Sequence, residues 1–127
     1  MNVLRFKKGY KDWETTYDVE LDYEYDERLE KKMSSLIICR QDLGKKAVVP
    51  WQVFENYATG HMEGTFADAS GLRIGRVNGK LSITQGYNFN VVIHQDQIEA
   101  IRRAAKNLVE DVSSSVENIL KEYALRA

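Results

Sequence analysis

Apolar and acidic residues alternate from Tyr17 to Asp26. Tyr17, Val19, Leu21, Tyr23 and Tyr25 are interleaved with Asp18, Glu20, Asp22, Glu24 and Asp26. A period of two predicts a strand with one buried face and one carboxylate face that is solvated or paired with cations. A second pattern follows. Residues 37–57 are echoed without a gap forty-four positions later. Ile37 falls on Leu81, Cys39 on Ile83, Gln41 on Gln85, Val48 on Val92 and Val49 on Ile93. Phe54 falls on Ile98, Glu55 on Glu99 and Tyr57 on Ile101. Each copy reads as strand, turn, strand, helix, the mark of an internal repeat.

Extended backwards, the repeat organises the chain. Val3, Leu4 and Phe6 predict a short first strand, and residues 7–12 a turn. Residues 26–34 are charged and read as a loop. Leu36 to Gln41 and Lys46 to Val49 predict two strands around Asp42-Leu43-Gly44. Pro50 suits the first turn of a helix over Trp51 to Ala58, with Gly60 as its C-cap. In the second half, Met62 to Phe66 predicts a strand, and Leu72, Ile74 and Val77 another. Asn78-Gly79 predicts a tight hairpin into Leu81 and Ile83. Residues 86–88 turn into a last strand, Phe89 to Ile93, and Asp96 with Glu99 resembles a capping box.

The closing helix is long. Ile98, Ile101, Ala105, Leu108, Val112, Val116, Ile119 and Tyr123 recur at steps of three and four. The pattern predicts one helix from about Asp96 to Leu125. Its stripe outruns one small sheet, so homodimerisation through this helix is expected. The competing reading folds the helix back after a break at Ser113-Ser114-Ser115. The whole predicts a single α+β domain over 1–127. It holds two ββββα repeats with antiparallel sheets, about 1–60 and about 61–127, and a long C-terminal helix.

Composition narrows the class. The chain has 127 residues, 43% hydrophobic and 29% charged, which suits a globular domain with a real core. No eighteen-residue apolar run predicts a membrane span, and Met1 to Lys8 lacks the apolar stretch of a signal peptide. A cytoplasmic location is the expectation. The net charge of −1 hides a polarity. Segment 12–30 is heavily acidic with Arg28 as its only cation, whereas 31–93 has twice as many basic as acidic side chains.

From Asn90-Val91-Val92-Ile93-His94-Gln95-Asp96 through the helix to Asp111, the hydrophobic spacing and acidic pair resemble the last strand and helix of a PUR repeat. Ala47 to Tyr57 is similar, with a shorter helix. With its order of elements, the chain resembles the PUR-repeat and Whirly-type group of single-stranded nucleic-acid-binding folds. The resemblance implies interleaved ββββα units, a dimer, and binding of single-stranded DNA or RNA without catalysis, in a regulatory or replication-associated role. Two features depart from the group: the carboxylate row, which repels phosphates, and the lack of a dense basic-aromatic tract.

Nucleic-acid binding needs cations for phosphates and flat side chains for bases. The candidates are Arg40, Lys45, Lys46, Arg73, Arg76 and Lys80, with Trp51, Tyr87 and Phe89 as stacking platforms. Arg73 beside Ile74 and Lys80 beside Leu81 are expected to point away from the core. The competing reading is an ordinary solvated sheet face, with Trp51 and Phe89 in the core. The acidic row has its own readings: a solvated face that guards against edge pairing, or a docking face for a basic protein partner, including an inhibitory module that mimics nucleic acid. Carboxylates two apart lie in a line and do not converge on a metal. A nucleotide-like molecule held by Arg102 and Arg103 at a dimer seam is a third function.

Enzyme chemistry, cofactors and metals find no motif. His61 and His94 are the two histidines; His94 precedes the capping box and reads as structural, and Cys39 lies in an apolar run that suits a small core residue. Gly71, Gly75 and Gly79 are not followed by the Lys-Ser/Thr of a phosphate loop.

Overall fold

The computed structural model describes the backbone of residues 2–10, 13–87 and 89–126, and the side chains of 4, 5, 7, 15–87 and 89–110. The acidic alternation lies in β2 (Trp13–Tyr25), which runs between β1 (Asn2–Tyr10) and β3 (Lys31–Arg40). β4 (Lys45–Pro50) completes a sheet of order β1-β2-β3-β4 and leads directly into α1 (Trp51–Ala58). The second unit holds β5 (Thr65–Ala67), β6 (Leu72–Val77), β7 (Lys80–Gln85) and β8 (Asn90–Ile93), in the order β5-β6-β7-β8. It ends in α2 (Gln95–Arg126). Every neighbouring pair is antiparallel. The protein is an α+β fold of two ββββα units.

The inner face of the first sheet presents Val19, Leu21, Leu36, Ile38, Ala47 and Val49. That of the second presents Leu72, Ile74, Leu81, Ile83, Val91 and Ile93. With Phe54 and Tyr57 of α1 and Ile98, Ile101, Ala105 and Leu108 of α2, they form one continuous core. Burying each large side chain contributes roughly 1.5–3 kcal/mol, so these inner rows set the strand register. β4 lies against β6 and β7, joining the sheets. α1 lies on β3 and β4, and α2 on β3 and β1. The helix that follows the second sheet therefore covers the first, and the repeats interlock.

The forty-four-residue echo needs one correction. It holds in β4 and β8, where Ala47 matches Val91 and Val49 matches Ile93, and in the helices, where Phe54 matches Ile98 and Tyr57 matches Ile101. In the preceding strands it slips by one. Ile38 pairs with Ala47, and Ile83 pairs with Val91, so Ile38 corresponds to Ile83 and Leu36 to Leu81. The chain between those paired residues is one residue longer in the first copy. Because side chains alternate, a one-residue offset reverses the face. Ile37 and Cys39 therefore lie on the outer side, and Cys39, between Asp18 and Lys46 across the strands, is half-buried and not a core residue.

Pairing also extends strands beyond their apolar runs. β1 continues through Lys7, Lys8 and Gly9 opposite Thr16, Thr15 and Glu14, as a polar edge strand. Only residues 11 and 12 of the expected turn fall between the strands, and they lie outside the described residues. The loop expected over 26–34 ends at Glu30. β3 starts at Lys31, which is buried with its Nζ 3.4 Å from the Tyr23 ring centre. A register shift between Asp22 and Tyr23 skips Ser34 in a bulge. The expected strand from Met62 is confined to β5 at Thr65–Ala67.

Turns and caps follow local chemistry. Asn78 and Gly79 take φ of 52° and 75°, both positive as a two-residue type I′ hairpin requires. Pro50 stands at the N-cap of α1, one position before its first helical residue. Thr59 is the C-cap, and Gly60 at φ 79° takes the left-handed position after it. α2 starts one residue earlier than its expected Asp96 cap. The His94 carbonyl accepts the first helical bond from Ile98, and the Gln97 side chain accepts from the His94 amide at 3.0 Å. Gln97 thus takes the capping role expected of Glu99, because it sits three residues after the true cap. The backbone of α2 is helical through Ser113-Ser114-Ser115, while the side chains of the expected dimer stripe, Val112 to Tyr123, lie outside the described residues.

Candidate functional site

Each sheet has an outer face, and the two differ in charge. The four strands of the second sheet contain no carboxylate. Cross-strand pairing aligns Arg73 with Ala67, Thr84 and Asn90, and Gly75 with Thr65, Ser82 and Val92. Lys80 lies at the hairpin end opposite Val77. Arg73 and Lys80 are exposed, as expected, and neither forms an ion pair with a described residue. Along β7 they are separated by four residues, roughly 13 Å. The carboxylate that directly follows β5 is occupied. Asp68 accepts from Ser70 Oγ at 2.6 Å and from the Ser70 and Leu72 amides, and these bonds hold its carboxyl below the usual range.

At the Arg73 end, the turn after β7 projects Tyr87, which is 90% exposed. Lys45 Nζ donates to the Tyr87 carbonyl at 2.6 Å and brings a cation from the other sheet to the same corner. Arg40 pairs with Lys45 across β3 and β4, but its guanidinium makes a fork with Asp42, at 2.7 and 2.9 Å. That pairing lowers the Asp42 carboxyl below its ordinary range.

Four expected binding residues are placed elsewhere. Phe89 is 1% exposed and meets Tyr17 edge-on at 5.7 Å, so it is core and not a stacking platform. Arg76 Nη1 donates to the carbonyls of Tyr57 and Ala58 at 2.7 and 3.1 Å. It closes the C-terminus of α1, where the helix dipole favours a cation, and is not free for phosphate. Trp51 is half-buried against Phe54, on the helix side of the first sheet and away from the Arg73 face. Lys46 is exposed on the outer face of the first sheet, opposite Cys39.

That face is acidic, but partly neutralised. Arg5 forks onto Asp18 at 2.6 and 3.2 Å, and the Gln41 amide also donates to Asp18. Asp26 is turned into the β2–β3 loop, where its Oδ1 accepts the amides of Arg28 and Glu30 at 2.8 and 2.9 Å. The Glu30 amide foremost lowers the Asp26 carboxyl. Glu20, Asp22 and Glu24 remain as the solvent-facing part of the row.

A groove of about 620 Å³ opens between α1 and α2 above β3. Trp51, Met33, Ala105 and Val109 supply its apolar lining, and Arg102, Arg103 and Lys106 its cations. Arg102 is tied to Glu55 of α1 at 3.0 Å. The sequence pointed to Arg102 and Arg103 at a dimer seam; the helix packing places them beside α1 of the same chain. Among the described residues no group of three His, Cys, Asp or Glu converges on a metal position. No described helix is long and apolar enough to cross a membrane. In comparisons with known proteins, no family model, curated protein or solved structure matches this chain.

Proposed function

We propose that the protein binds single-stranded nucleic acid on the outer face of its second sheet. The carrying observation is a sheet face whose strands contain no carboxylate and on which Arg73 and Lys80 form no ion pair with a described residue. Two cations roughly 13 Å apart reach phosphates of one extended strand, with Ser82, Thr84 and Asn90 between them as hydrogen-bonding groups. Tyr87 offers a ring for base stacking at the same end, and Lys45 adds charge beside it. The acidic face belongs to the other sheet, so it does not lie across this track and repels non-productive approaches. The resemblance to PUR and Whirly folds agrees with a strand laid over an antiparallel sheet.

Fluorescence anisotropy with labelled single-stranded DNA and RNA at two salt concentrations tests the proposal. Affinity is expected to fall as salt rises. Arg73→Glu with Lys80→Glu is expected to abolish binding without unfolding the protein, since both side chains are exposed. Neutral versions at the two positions lower the logarithmic salt slope by roughly 1.4, two phosphate contacts on a single strand. No binding at low salt, or wild-type binding by the double variant, overturns the assignment.

A further inference from the structure

The α1–α2 groove lies on the other sheet from the proposed nucleic-acid track and has its own chemistry. Its volume of about 620 Å³ falls within the usual range of small-molecule sites. One wall is the indole of Trp51, whose ring packs against Phe54 at 5.0 Å, tilted by 42°. Met33, Ala105 and Val109 extend the apolar surface. On the α2 side, Arg103 and Lys106 stand three residues apart and thus on one helix face.

The charges in the groove are not equivalent. Glu55 is engaged by both Arg102 nitrogens, at 3.0 and 3.4 Å. Arg103 and Lys106 form no ion pair with a described residue, and Glu110 is the one other carboxylate lining the groove. Among the described residues, two cations and one carboxylate without an ion pair therefore line the groove beside an aromatic wall. An inorganic anion leaves Trp51 and Met33 unused, and a purely apolar ligand leaves the cations without a counter-charge. A ligand with both parts satisfies both.

We propose that this groove binds a nucleoside phosphate, with its flat base against Trp51 and its phosphate at Arg103 and Lys106. The described lining residues come from α1, α2 and β3 and do not include the second-sheet face.

Titration calorimetry of the native protein, with adenosine monophosphate, adenosine and inorganic phosphate as separate probes, tests the proposal. The expected result is saturable binding of the monophosphate, at least about tenfold tighter than either fragment. Arg103→Glu with Lys106→Glu, both exposed positions, is expected to weaken it by about tenfold or more. The protein has two tryptophans, so a Trp13→Phe variant isolates Trp51, whose emission is expected to be quenched by the monophosphate. The variant altered at Arg73 and Lys80 is expected to bind the monophosphate like the native protein, whatever its affinity for oligonucleotides. The site is overturned by no saturable binding at millimolar monophosphate, by equal binding of phosphate alone, or by binding indifferent to Arg103 and Lys106. Loss of the monophosphate in the Arg73 and Lys80 variant also overturns it, by moving the ligand to the second sheet.

Discussion

Residues of one type divide by their partners. Arg73 and Arg76 stand three apart on one strand, yet the first faces solvent and the second holds two helix-terminal carbonyls of the other repeat. Gly60, at a positive φ, turns the chain directly beside this guanidinium, whose Nη1 would stand 3.5 Å from an added Cβ. Arg76→Ala is expected to destabilise the fold by about 2 kcal/mol, because half-buried carbonyls lose a charged donor. Arg73→Ala is expected to change stability by less than about 0.5 kcal/mol. Urea unfolding midpoints of the two variants measure the contrast. Tyr87 and Phe89 divide similarly. Two residues apart in the chain, one ring is fully out and the other packs on Tyr17. The sequence around each pair shows apolar neighbours and turns, but not the distant group each side chain meets.

At the scale of the element, short polar turns keep the strands in register. Asp26 organises the loop after β2, Asp42 fixes Arg40 at the turn after β3, and Asp68 bonds the turn into β6. All three carboxyls lie below the ordinary range, from the Glu30 amide, the Arg40 guanidinium and the Ser70 hydroxyl, foremost. A folded-state value below the unfolded one favours folding while the group is ionised. That stability is present above the unfolded value of about 3.9 and is lost as pH falls through the lower folded values. The melting temperature is therefore expected to drop below about pH 4, and less steeply in Asp26→Asn, Asp42→Asn and Asp68→Asn proteins. Calorimetric melts across acid pH read this out. The hairpin at Asn78-Gly79 and the helix Trp51–Ala58 were legible in the sequence because their signals are local. The lengths of β1 and β3 were not, because polar residues such as Lys7 and Lys31 enter strands only when a paired strand holds them there.

At the scale of the whole molecule, the two repeats are joined by contacts between unlike parts. Arg76 reaches α1, Phe89 meets Tyr17, Lys45 reaches Tyr87, and Arg102 grips Glu55. The helix after the second sheet lies on the first, which is what creates the Trp51 groove. In the sequence, the α2 stripe continues through Val112, Val116, Ile119 and Tyr123, and we propose that it carries a homodimer. Light scattering is expected to give twice the chain mass of 14.6 kDa, falling to one chain in Val116→Asp with Ile119→Asp. A single-chain mass for the native protein sinks this assembly.

The sequence by itself determined the α+β class, the two ββββα units, the helix of the first repeat and the outward placement of Arg73 and Lys80. Period-two and period-3.6 patterns and turn residues carry that information within a few positions of chain. Only the tertiary structure decided which charges are spent. It assigned Arg76 to a helix end, Phe89 to the core, Trp51 to a groove, and Ile37 and Cys39 to the outer face through a single extra residue. Those outcomes depend on partners up to 72 positions away, as with Tyr17 and Phe89, and burial beside a distant residue leaves no periodic trace in the chain that carries it.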